Sequence, residues 1–105
     1  MKIAITSSWN TVDSKIDPRF GRCAYFAIYE TGNNSVEFIP NPNKDIEEGA
    51  GPAAVHLLST LNVSKVVSGD FGQRAKSLLD ELKIQMIVLK GPDKRISEII
   101  EMLNQ

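Results

Sequence analysis

The sequence contains one cysteine, Cys23, so no disulfide can form within the chain. Small secreted domains usually lean on several disulfides, and a disulfide scaffold is excluded. Long apolar runs are missing too. The opening Met1-Lys2-Ile3-Ala4-Ile5-Thr6 turns polar at Ser7, too soon for a signal-peptide core, and no apolar run is long enough to span a bilayer. With no address in the sequence, the expectation is a cytoplasmic protein with no membrane partner. Charge of one sign is lacking: 12 basic residues face 13 acidic ones, for a formal net charge of −1. The basic residues are scattered, apart from short groups at Arg19–Arg22 and Lys90–Arg95. A nucleic-acid binder would carry a basic stripe, so no nucleic-acid partner is expected. There is one histidine, His56, and no CxxC pair, internal repeat or low-complexity stretch.

What is present fits one globular domain over residues 1–105, with 42% apolar and 24% charged residues. Residues 2–7 (KIAITS) read as a strand, followed by a long polar loop over 8–22 that contains Pro18 and Gly21. Residues 24–31 (AYFAIYET) and 36–40 (VEFIP) flank the turn Gly32-Asn33-Asn34-Ser35 and read as a hairpin. Three helices follow, each with apolar residues at i, i+3, i+4 and i+7: Ala54, Leu57, Leu58, Leu61; then Ala75, Leu78, Leu79, Leu82; then Ile96, Ile99, Ile100, Leu103. Pro52 suits a first helical turn, and Asp93 reads as the cap of the third helix. The short apolar runs at 65–68 and 84–89 read as buried strands between the helices.

The element order is β-β-β-α-β-α-β-α. It predicts an α/β fold with a mixed five-stranded sheet of order 3-2-1-4-5, helices on its faces, and strands one, four and five parallel. In such sheets ligands bind beyond the carboxyl ends of parallel strands, where strand order reverses. The segments expected there are Ser7-Ser8-Trp9 and Gly69-Asp70-Phe71-Gly72, with Gly49-Ala50-Gly51 as a further approach. Each glycine segment precedes a helix, and a helix N-terminus attracts anions through free N–H groups and its dipole. The plain alternative is that Gly51 and Gly72 only make tight turns.

The most unusual stretch is Asp17-Pro18-Arg19-Phe20-Gly21-Arg22-Cys23. Arginine holds anions through a rigid fork of donors. A thiolate is a soft metal ligand, and Arg22 beside Cys23 would favour the thiolate. The competing reading makes Cys23 a small buried hydrophobe entering the second strand. His56 lies beside an apolar helix stripe and reads as a boundary residue. Trp9 would either cover a ligand or pack on the domain edge. Asp13, Asp17 and Asp70 read as caps and turn residues ahead of a catalytic cluster.

Several of these residues resemble the dinitrogenase iron–molybdenum cofactor biosynthesis family, which includes nitrogenase accessory factors. The resemblance is carried by MKIAI at the start, DPRFGR over Asp17–Arg22 followed by Tyr25-Phe26, and Asn41 after the third strand. It continues through Gly49-Ala50-Gly51 and through Gly69 and Gly72 ahead of Ala75. It implies a three-layer α/β/α ribonuclease H-like fold. It also implies a non-catalytic carrier or chaperone of an iron–sulfur or iron–molybdenum type cluster or its precursor. The partners would be donor and acceptor proteins of cluster assembly, and the chain would work as a monomer or homodimer. Ser7, Ser8, Arg19, Phe20, Gly21, Arg22, Cys23, Asn41, Gly49, Gly51, Gly69 and Gly72 would line the cofactor site, with Cys23 as a candidate metal ligand alone or paired across two chains.

Two other functions compete with the carrier. One is a sensory or interaction module that binds a phosphorylated metabolite at the helix N-termini. The other is a metal-dependent nuclease. Phosphoryl chemistry on two metals wants carboxylates on the central strands, and Ile3-Ala4-Ile5-Thr6-Ser7 offers none.

Overall fold

A computed structural model describes residues 1–104. The elements are β1 (Lys2–Ser7), β2 (Tyr25–Glu30), β3 (Ser35–Pro40), α1 (Ala50–Thr60), β4 (Val63–Ser68), α2 (Gln73–Glu81), β5 (Gln85–Val88) and α3 (Ile96–Leu103). The sheet order is β3-β2-β1-β4-β5. β1 pairs with β2 antiparallel and with β4 parallel, and β5 joins β4 in parallel. This is the mixed sheet that the sequence predicts.

Alternation along the strands divides the core into two layers. Ala4, Phe26, Ile28 and Val66 face one way and pack with Ala54, Val55 and Leu58 of α1 and Ala75 and Leu79 of α2. Ile3, Ile5, Ala27, Tyr29 and Val67 face the other way and meet Ile96 and Ile99 of α3. Leu58, Leu79, Ile96 and Ile99 are almost fully buried, each contributing about 1.5–3 kcal/mol. The helix stripes therefore do what their spacing predicts, with one exception. Leu82 is 51% exposed, because α2 ends at Glu81 and Leu82 is already its cap.

Two local expectations need correction. Asp93 does not cap α3. The N-cap is Arg95, whose N–H donates to the Glu98 carboxylate at 2.9 Å, while Asp93 accepts from Lys15 at 3.2 Å. The segment 8–22 is also better organised than a free loop. It closes on itself (Ser8 N–H to Lys15 O, 3.0 Å), folds back on β1 (Asp17 N–H to Thr6 O, 3.0 Å), holds the start of α3 (Ile96 N–H to Ser14 O, 2.9 Å), and bridges Arg19 to Asp70. These bonds pin Arg19 and Phe20 against the turn after β4.

Candidate anion-binding cleft

The turn after β4, the segment 19–22 and the starts of α1 and α2 enclose a cleft of about 250 Å³; the expected segment Ser7-Ser8-Trp9 after β1 does not line it. Its walls are Arg19, Phe20, Gly21, Arg22, Ala50, Gly51, Asp70 and Gly72. A shallow extension shares Ala50, Gly51 and Gly72 with it and continues to Gln73 and Arg74. Neither helix start carries an acidic residue in its first turn or a side-chain cap. The first-turn N–H groups of both helices therefore lack the side-chain acceptors that usually satisfy them, and two positive dipole ends meet at one place.

Close backbone approach builds the cleft. A Cβ on Gly21 would lie 2.7 Å from Gly51 N and 2.8 Å from Ala50 C, so only glycine lets this wall touch the start of α1. A Cβ on Gly69 would lie 2.8 Å from Pro18 Cα, which fixes the other seam. Gly72 has open space around it and an ordinary φ of −67°, so its lack of a side chain matters for access and not for fit.

The two arginines are held differently. The Asp17 carboxylate is buried and accepts from the Arg19 backbone N–H at 2.9 Å and from its Nε at 3.3 Å. Hydrogen bonding to Asp17, reinforced by its charge, raises the Arg19 pKa further, and the side chain remains 66% exposed. Arg22 donates from Nη1 to the carbonyls of Lys44 (3.0 Å) and Ile46 (2.7 Å) and from Nη2 to that of Glu47 (3.3 Å). A guanidinium has five N–H donors, so two remain.

Several expected site residues have other tasks. Cys23 is fully buried in the α1–α2 layer, with its Sγ 3.5 Å from Phe20 O. Burial, with the Asp17 charge adding to it, pushes the thiol up to about 12. This corrects the expectation that Arg22 favours a thiolate: the Arg22 charge is engaged by the loop carbonyls, and burial dominates. Buried in this way, the Cys23 sulfur presents no exposed surface to a metal or to a second chain. Asn41 is buried and donates from Nδ2 to Gly21 O (3.0 Å) and Cys23 O (2.9 Å), which makes it a brace for the cleft wall. Ser7 is buried, with its hydroxyl donating to Trp9 O at 2.6 Å, and the Ser8 hydroxyl donates to Lys15 O at 2.9 Å. Phe20 is 2% exposed and stacks at a tilt on Phe71, forming the cleft floor.

Of the remaining residues, Gly49 caps α1 at φ +79°, and Gly51 and Gly72 line the cleft. Gly69 sits behind the cleft, and His56 points to solvent on α1. Trp9 is 59% exposed and meets Tyr25 edge-on at 5.6 Å, away from the cleft lining. Sequence reasoning overlooked Arg74. Its position two residues after Gly72, in the first turn of an uncapped helix, was the signal available.

The donor set has a clear chemical preference. Among the described residues no group of three or more His, Cys, Asp or Glu is gathered as a metal site. A cluster ligated by the protein wants several thiolates. Backbone N–H groups and arginines suit an anion that arrives with its own ligands.

The chain belongs to the dinitrogenase iron–molybdenum cofactor family. The family matches across residues 1–105. An uncharacterised protein of Methanocaldococcus jannaschii is 30% identical over 97% of this chain and 84% of its own length. Among solved structures, the apo form of the orange protein from Desulfovibrio gigas superposes with a TM-score of 0.88 at 25% identity, covering 97% of this chain and 85% of that one. A putative NifB protein from Thermotoga gives a TM-score of 0.82 at 27% identity over the same shares. The two solved structures share the fold. Among the described residues, no helix is long and apolar enough to cross a membrane.

Proposed function

We propose that this chain is a non-catalytic carrier that takes a preassembled, anionic metal–sulfur cluster of the iron–sulfur or iron–molybdenum type as cargo. The observation that carries this reading is the meeting of two helix N-termini without side-chain caps with Arg19 and Arg22 at one glycine-walled cleft. The family's link to the iron–molybdenum cofactor narrows the anion to a metal–sulfur species. The relative solved in an apo form belongs to a protein that has a group to lose.

Holding the cargo by N–H groups and guanidinium forks, without covalent ligation, suits a protein that must also release it. Charge-assisted hydrogen bonds of this kind are worth about 1.5–3 kcal/mol each, enough in combination for useful affinity without a trap. Donor and acceptor proteins of cluster assembly would then load and unload the cleft. Transfer requires no bond to a protein atom to break.

Anaerobic incubation with tetrathiomolybdate, or with iron and sulfide, followed by desalting and metal and sulfide analysis, tests the reading. Retention of coloured metal–sulfur species by the wild type, lost in an Arg19→Ala/Arg22→Ala variant, is the expected result. Phosphate-bearing ligands share the anion chemistry. A thermal-shift screen in which nucleotides or sugar phosphates stabilise the chain and metal–sulfur species do not would replace the cluster carrier with a metabolite-binding module.

A further inference from the structure

Arg22 stands at the junction of two structures. Its side chain lines the cleft, yet three of its donors are engaged by the carbonyls of Lys44, Ile46 and Glu47. The loop it holds has little else to hold it. Within 42–48 the other hydrogen bonds are local: Asn43 N–H to Asn41 Oδ1 at 3.1 Å and Ile46 N–H to Asn43 O at 3.4 Å. Lys44, Asp45, Glu47 and Glu48 are exposed.

The connection is reinforced from the other side. Asn41, where the loop begins, donates to the carbonyls of Gly21 and Cys23, on either side of Arg22, and its own N–H reaches Ala24 O at 2.9 Å. The loop ends at Gly49, the cap of α1, whose first turn forms the opposite wall of the cleft. The loop thus joins both walls, and Arg22 is the side chain that ties its middle to one of them.

From this geometry, and resting on the anion reading above, we infer that Arg22 couples the cleft to the loop 44–47, so that an anion in the cleft tightens that loop. The physical reason lies in the donor count. The guanidinium keeps its charge and has two donors to spare, so an anion can be bound without giving up the carbonyls. Fixing the guanidinium from the cleft side removes the rotamer freedom that lets the loop pull away. A loaded carrier would then differ from an empty one in the order of an exposed, acidic loop. Arg22 is in this sense a positioning residue as well as a contact.

Hydrogen exchange by mass spectrometry on the whole chain, with tetrathiomolybdate as the probe and thermal shift reporting binding, decides the matter. In the wild type, exchange of the 43–48 amides is expected to slow several-fold at saturating probe. Arg22→Lys keeps the charge but gathers three donors on one nitrogen, without the planar fork that spans the three carbonyls or the two spare donors for an anion. It is expected to exchange faster in this loop without probe and to lose the probe-dependent slowing. Arg19→Lys, a cleft residue with no bond to the loop, is expected to bind more weakly yet still to show the slowing at saturation. Binding by the wild type with unchanged loop exchange would overturn the coupling and leave the anion site intact. Unchanged loop exchange in unliganded Arg22→Lys would overturn it as well. Absence of any binding would remove the anion reading, and the coupling with it.

Discussion

Two hollows open at the same end of the sheet and share Asp70, yet they differ in kind. The first, of about 250 Å³, is walled by Arg19, Arg22, Gly21 and the starts of two helices. The second, of about 290 Å³, lies across the Arg19–Asp70 bridge and is walled by Ile16, Pro18, Leu89 and Pro92, with Lys90 tied to Gly69 O at 3.1 Å. Volume does not separate them. The first gathers two helix starts and two arginines beside the Asp70 carboxylate, while the second presents mainly apolar side chains around Lys90. At this switch point the position beyond the parallel strands is common to both sides, and on the proposed reading it is the donors that select the first as the anion site.

The contrast can be broken most severely at Gly21. Gly21→Ala forces a Cβ into the backbone of Ala50 and Gly51, and overpacking of this kind costs about 1–3 kcal/mol. Chemical denaturation is expected to show that loss, and anion binding is expected to fall with it, because the start of α1 must move. Arg19→Ala is expected to weaken anion binding about tenfold, the equivalent of about 1.4 kcal/mol, since this guanidinium is largely exposed. Pro92→Ala in the second hollow is expected to leave that affinity unchanged. Isothermal titration calorimetry with tetrathiomolybdate compares the two.

A smaller effect sharpens the contrast between cleft and core at Cys23. Its folded pKa is raised by burial to about 12, above its ordinary value of 9.0. Between these values the unfolded chain gives up the thiol proton and the folded chain keeps it, so the unfolded state binds fewer protons and stability falls as pH rises. Below about pH 9 the contribution is fully present. Denaturation curves measured from pH 8 to pH 10.5 are expected to show the onset of this decline in the wild type, and Cys23→Ala is expected to lack that component. Iodoacetamide at neutral pH is expected to label Cys23 only after unfolding. The smallest effect is expected at Gly72. Gly72→Ala meets no atom within 4 Å and keeps an ordinary φ, so denaturation is expected to register a change within about 0.5 kcal/mol.

Much of the fold was legible because its signals are periodic. Alternation in KIAITS and YFAIYE and the i, i+3, i+4 stripes of the helices carry both layers of the core, and the element order carries the sheet order. Boundaries were less legible: β4 starts at Val63, and α3 is capped by backbone and Glu98 rather than by Asp93. At the cleft, Gly21, Gly51 and Gly72 and the two arginines stand in the walls, where the sequence places them. Burial is what the sequence hides. Cys23 and Asn41 flank the cleft in sequence but turn inward, and a one-dimensional pattern cannot tell a side chain at a cleft from one beneath it.

The claim that the cleft holds its cargo by donors and charge, without a thiolate ligand, is tested most directly by one paired measurement. Tetrathiomolybdate affinity is determined anaerobically for the wild type, Cys23→Ala and Arg19→Ala/Arg22→Ala, each first shown to be folded by circular dichroism. Affinity equal to wild type in Cys23→Ala and a loss of tenfold or more in the arginine pair is the expected result. Loss of binding in folded Cys23→Ala, with the arginine variant unimpaired, would contradict it.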